Sequence, residues 1–185
     1  MKRATWLALA ASMVGSVVAL PAHAEPRTTG AIQLGLGFRY GVEQNDGDFN
    51  PWGAGLGLEA GYTMDNAVYV GGNFDYFFGQ ELDDELGSVD GNIWHLMAEG
   101  GYDIGLLHFF VLRPKLGLGV AKWKTDVCVD ALGCTKNSGS DLALAPGAKL
   151  MLFTPILNVS FDARYVLVFS EETSKALVFS AGIGF

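Results

Sequence analysis

The chain has 185 residues and a formal net charge of -8, with 12 Lys and Arg against 20 Asp and Glu. That length allows one ordinary domain, and the acidic balance argues against a nucleic-acid partner. Beyond the first two dozen residues no stretch approaches ~18 consecutive apolar residues, so no helix is expected to span a membrane.

The first element is a targeting segment. Lys2 and Arg3 precede an apolar run from Trp6 to Leu20, and Ala22-His23-Ala24 follows. A basic start, a short apolar middle and an A-x-A ending describe a secretory signal peptide at residues 1–24, cut after Ala24. The run is short for the ~20 residues of a membrane anchor. The mature chain, 25–185, loses two cations and carries a formal charge of -10.

Helical periodicity is almost absent after that point, and alternation dominates. Eight strands are predicted, at about 31–41, 52–62, 67–78, 92–102, 109–121, 142–152, 157–169 and 175–185, each longer than the ~5–6 residues usual in soluble sheets. In the first, Ile32, Leu34, Leu36, Phe38 and Tyr40 share one face, and Gln33, Gly35, Gly37 and Arg39 share the other. In the second, Trp52, Leu56, Leu58 and Tyr62 oppose four glycines and Glu59. Asp75 in the third, His95 and Glu99 in the fourth, and Arg113 and Lys115 in the fifth lie opposite apolar residues. So do Lys149 in the sixth and Asp162 and Arg164 in the seventh. The last strand ends "ALVFSAGIGF", with Phe185, Ile183, Phe179 and Leu177 on one face.

The second face is largely glycine with one or two charges per strand, unlike the Lys/Glu/Thr face of a soluble sheet. It suits the cramped interior of an eight-stranded barrel, where glycine leaves room for long charged side chains. The apolar face then points into lipid, and the sheet must close because backbone groups in lipid need internal partners. A soluble lipocalin-like barrel is the alternative, but it would hold its apolar side chains inside.

The connections alternate in length. Long ones fall at about 42–51, 79–91, 122–141 and 170–174, and short ones at 63–66, 103–108 and 153–156. With both termini on the short-turn side, this is the pattern of an outer-membrane barrel with short periplasmic turns. Trp52 and Tyr62 bracket the second strand and Trp94 and Tyr102 the fourth, as aromatics at two interfaces about 25 Å apart would. Cys128 and Cys134 are expected to pair in an oxidising compartment, since two thiols without a His pair do not complete a zinc site. Pro114 and Pro146 count against a closed barrel unless each marks a bulge or a gap in the ladder.

With its signal segment, alternating strands and terminal "VFSAGIGF", the chain over 25–185 resembles the small eight-stranded outer-membrane β-barrel proteins of Gram-negative bacteria, of the OmpA-like and OmpX-like type. The resemblance implies an all-β, antiparallel, up-and-down transmembrane barrel. It implies further that the barrel-assembly machinery reads the terminal strand, making Phe185 both lipid anchor and assembly signal. No peptidoglycan-binding domain is expected beyond the barrel.

The inward charges Arg39, Glu59, Asp75, Glu99, Arg113, Lys115, Lys149, Asp162 and Arg164 nearly balance. Unpaired charges there would be costly, so a salt-bridged plug is expected. The same groups could instead line a narrow gated ion path. Catalysis is not expected: His95 and Glu99 are ~13 Å apart along a strand, Ser88 is a lone loop serine, and no Ser/His/acid set assembles. No cofactor or resident metal is expected. Acidic loops at Glu43, Asp46 and Asp48, and at Glu81, Asp83, Asp84, Glu85 and Asp90, read as a solvated rim that could also hold divalent cations. The overall reading is a monomeric barrel with a structural or surface-contact role. Its expected partners are outer-membrane lipid, lipopolysaccharide and the assembly machinery. A small-solute channel or a lipid-modifying enzyme stands as the alternative.

Overall fold

The computed structural model describes residues 28–44, 50–79, 82–84, 87–107, 109–129, 133–154, 157–170 and 173–185. The expected signal segment lies outside them. Alternation forms strands here because one face meets small or polar interior atoms while the other meets none. The strands are β1 (Ile32–Glu43), β2 (Gly53–Thr63), β3 (Val68–Gly79), β4 (Leu82–Asp84), β5 (Gly87–Tyr102), β6 (Ile104–Leu107), β7 (Phe110–Val129), β8 (Gly133–Phe153), β9 (Asn158–Phe169) and β10 (Ser174–Gly184). Eight of them form the wall. Sequential neighbours pair antiparallel, β10 returns to β1, and β5 pairs with β7 to close the ring. The short β4 pairs with β5, and β6 continues the line of β5 beyond Asp103.

Hydrogen-bonded partners can be followed round the ring from Leu34 through Ala60, Gly72, Ala98, Leu118, Leu144, Leu167 and Lys175. The path returns to β1 at Gln44, whose amide donates to the Lys175 carbonyl at 2.7 Å. The shear is thus ten residues for eight strands. At ~3.3 Å per residue and ~4.8 Å between strands this tilts the strands by about 40°. Outward residues from Ile32 to Val42 then span about 25 Å, the height of a lipid-facing band. The outward face is apolar and open: Leu58 is 56% exposed, Leu118 58% and Phe161 57%. Among the described residues there is no helix long and apolar enough to cross a membrane.

Both prolines fall at ladder gaps. The β5–β7 register stops at Gly101 opposite Lys115 and resumes unchanged at Ile104 opposite Leu112, skipping Pro114. The β8–β9 register skips Ala145 and Pro146 and resumes in step. Each proline removes a donor without shifting the faces, so a closed wall tolerates both.

Two expectations need correction. The long connections are shorter than expected. The stretch 122–141 is not a loop: β7 runs to Val129 and β8 starts at Gly133, and the ladder is continuous up to the Cys128–Cys134 disulfide. Lys122, Lys124 and Asp126 made the segment look like a loop, but Thr125, Val127 and Val129 alternate with them as strand residues do. Residues 87–91 of the expected 79–91 connection are strand as well, so Ser88 lies in β5 opposite Cys128 and is not a loop serine. Trp52 is the second correction. It is not an interface aromatic but is fully buried inside the barrel. The ladder to β3 slips at Gly53 and Ala54, and Gly53 has φ +48°, a conformation glycine adopts without strain. The Asn50 side chain accepts from the amides of Glu43 and Trp52 and donates to the Gly41 carbonyl. This pins the strand entry so that Trp52 turns inward.

Cutting the disulfide should loosen this hairpin and leave the wall intact. Cys128→Ser with Cys134→Ser is expected to cost the tip about 2 kcal/mol of local stability. Amide exchange of residues 122–141 would then quicken at least tenfold, with unchanged heat-modifiable migration of the barrel.

Candidate functional site

Inward residues form three layers. Nearest the short turns, Arg113 holds Asp103 through two hydrogen bonds of 2.5 and 2.8 Å. Arg113 also donates to Gln33 at 2.9 Å and Thr63 at 3.2 Å. Its guanidinium lies 3.6 Å from the centre of the Tyr69 ring. The Thr63 hydroxyl donates to Asp103 at 3.0 Å and accepts from Gln33 at 2.8 Å.

The middle layer is an ion network. Arg164 reaches three carboxylates: Asp162 at 2.9 Å, Asp75 at 3.2 Å and Glu99 at 3.4 Å. Asp75 also takes Arg39 at 2.8 Å and His95 at 2.6 Å. Lys115 spans Asp162 at 2.5 Å and Glu99 at 3.1 Å. Asn73 donates to Glu99. Lys149 pairs with Glu59 across the lumen. A Cβ on Gly57 would collide with the Asp75 carboxylate and the Arg39 guanidinium, so the bare backbone there makes room for the pair.

The third layer, toward the long loops, is apolar. Trp52 and Phe77 stack edge to face with centroids 5.2 Å apart, over His95. Ile93, Met97, Ala121, Val166, Val168 and Val178 complete the cluster, with Trp123 packed on it. The sequence reading expected glycine and charge along the whole interior, and this layer departs from it. Val166, Val168 and Val178 share the inward parity of Arg164 and Ser180, a signal that was present but reads as lipid-facing when strands are taken singly.

Of the predicted lumenal set, Arg39, Asp75, Glu99, Lys115, Asp162 and Arg164 come together in one cluster. Glu59 and Lys149 pair beside it. Arg113 goes to the lower layer with Asp103, which sequence reading missed. Asp103 was assigned to a turn, yet it continues the odd-numbered inward face of His95, Glu99 and Gly101. With it, the lower and middle layers hold five anionic and five cationic side chains among the described residues. His95 and Glu99 remain apart, each with its own partner. Among the described residues the ring nitrogen His95 Nδ1 has no hydrogen-bond partner, while Nε2 meets Asp75.

Tyr62, Tyr102 and Phe185 are exposed on the outer face near the short turns, at 41%, 44% and 75%. Trp94 is half-buried there higher up, against Phe74 at 5.9 Å. The Phe185 amide and carbonyl exchange hydrogen bonds with Leu34, locking the terminal residue to β1. His108 and the acidic residues 46, 48, 81 and 85 lie outside the described residues. No cluster of three His, Cys, Asp or Glu able to hold a metal occurs among those described.

The fold resembles three solved structures. The attachment invasion locus protein Ail of Yersinia pestis is 22% identical, with TM-score 0.56, covering 85% of this chain and 99% of that one. Neisserial surface protein A is 15% identical, with TM-score 0.54, covering 83% and 94%. The N-terminal β-barrel domain of Pseudomonas aeruginosa OprF is 16% identical, with TM-score 0.51, covering 84% and 98%. No curated protein matches the chain in sequence. Residues 7–185 match the family described as outer membrane protein beta-barrel domain, and the chain therefore belongs to that family of bacterial outer-membrane barrels.

Proposed function

We propose that this protein is a closed, monomeric structural barrel that supports outer-membrane integrity and offers its β7–β8 extension as a contact surface. The observation that carries this reading is the filled interior. Five cations and five anions neutralise one another, and an apolar layer roofed by Trp52 stands above them. An ion crossing this path would have to break several buried pairs and then enter a dry layer, which argues against the narrow-channel alternative. An enzyme is disfavoured because, among the described residues, the buried His95–Asp75 pair lacks a nucleophile.

In this reading the signal segment is removed after Ala24, both termini face the periplasm, and the assembly machinery reads the strand ending at Phe185. The extension then projects outward. Its β8 half, residues 133–141, pairs among the described residues with β7 alone, because the β9 ladder starts at Leu142. An open strand edge of this kind can take an extended segment from a partner.

Planar-bilayer recording tests the closed lumen. Purified wild-type protein is expected to give no stable single-channel steps, and large steady steps would overturn the reading. Glu99→Ala should lower stability without opening a large conductance, since Arg164 and Lys115 would still fill the space. Lipid A composition is expected to be the same with and without the protein, and a changed acylation pattern would favour the enzyme instead.

A further inference from the structure

Among the described residues, the cations outside the lumen are confined to one rim. Lys122, Lys124, Lys136 and Lys175 all lie beyond the long-loop edge of the apolar band, whereas the opposite rim presents Tyr62, Tyr102 and Phe185. Lys136 pairs with Asp126 at 3.1 Å. Lys175 is exposed, faces outward and makes no ion pair among the described residues.

Below Lys175 the lipid-facing wall is hollowed. A shallow, almost wholly apolar depression of about 490 Å³ crosses the wall from β7 to β1. Ala163 and Ala181 form its floor, Phe161 and Phe179 rise beside them, and Phe38 and Tyr40 close its upper end. The register fixes its relation to the lysine: Phe179 pairs with Tyr40, Leu177 with Val42, and Lys175 comes next on the same face. Lys175 is therefore four residues above the rim of the hollow, ~13 Å along the strand, and its stem can lie along Leu177 to shorten that gap. The volume falls within the roughly 300–1,000 Å³ of small-molecule sites. A chain lying there meets wall atoms on its flanks as well as beneath, so it gains dispersion contacts that a convex wall denies it.

We propose that the β8–β9–β10–β1 face binds one phosphate-bearing lipid of the leaflet on the long-loop side, with an acyl chain in the hollow and the phosphate against Lys175. Charge complementarity selects the occupant: an anionic amphiphile satisfies an apolar trough and a cation at its upper end together. The proposal rests on the outward face, its hollow and Lys175, and does not depend on whether the lumen conducts.

Native mass spectrometry of delipidated protein in a non-ionic detergent, titrated with dioleoylphosphatidylglycerol, tests it. A 1:1 adduct should saturate before further adducts appear, and dioleoylglycerol, which lacks the phosphate, should give at least fivefold less. Lys175→Glu should reduce the adduct at least fivefold. Ala163→Trp with Ala181→Trp, which fills the hollow, should do the same, while Lys124→Glu should change it less than twofold. Heat-modifiable migration verifies that each variant has folded. A graded series of adducts without a 1:1 plateau would overturn the proposal, as would equal retention of dioleoylglycerol or equal loss in Lys124→Glu. A protein dimer appearing in place of the adduct, and lost in the tryptophan variants, would overturn it in favour of self-contact.

Discussion

Arg164→Met is expected to lower the unfolding free energy of the barrel by about 3–5 kcal/mol, the cost of breaking a buried ion cluster from one side. Arg164 is fully buried and serves Asp162, Asp75 and Glu99 at once. Its loss leaves five carboxylates facing four cations in a space that water does not reach freely. Methionine roughly matches the length of the side chain, so the loss reports charge and hydrogen bonding more than volume. Arg164→Lys should recover only part of the deficit, because an ammonium cannot present the fork that meets several carboxylates together. Asp162→Asn added to Arg164→Met restores the balance of charge and should also recover part. Urea titration of refolded protein in lipid vesicles, read by tryptophan fluorescence and gel migration, measures all three. A loss under 1 kcal/mol in Arg164→Met would mean that the lumen is wet enough to hydrate its ions.

Trp52→Ala is expected to cost about 3–5 kcal/mol, as large-to-small changes in a packed core do. It would leave a void against Phe77 and His95. Trp94→Ala makes the informative contrast. Trp94 points outward, is only half-buried and packs on the Phe74 ring, so its removal should cost about 1 kcal/mol. If Trp52 were an interface ring, the two variants would lose similar small amounts. The same urea titration separates the cases.

Period-two alternation made most of the fold legible, because a lipid-facing strand must be apolar at every second position and has little freedom to disguise it. Chain closure followed from the same constraint. The end of the strands was not legible at the long-loop side, because the apolar half of the pattern stops where the membrane stops while the backbone ladder of β7 and β8 goes on. Trp52 was misplaced by one local event, the slip at Gly53, which reverses the face of every residue before it. The ion cluster was legible as a set of charges with inward parity, but its pairings were not. Arg113 takes Asp103 because the register sets the two directly across from each other, with Glu99 opposite Gly117, and single-strand patterns carry no register. The apolar roof failed for a related reason: an inward valine and an outward valine look alike until the register is known.

The unbroken ladder from the bilayer to the disulfide has a mechanical consequence. The β7–β8 extension cannot pivot on a flexible stalk, because its hydrogen bonds are the same series that builds the wall. A sideways tug at Cys128 would tilt the whole cylinder. A pull along the axis would stress many backbone bonds in parallel before any one of them peeled away. Whatever grips that tip is gripping the membrane anchor itself.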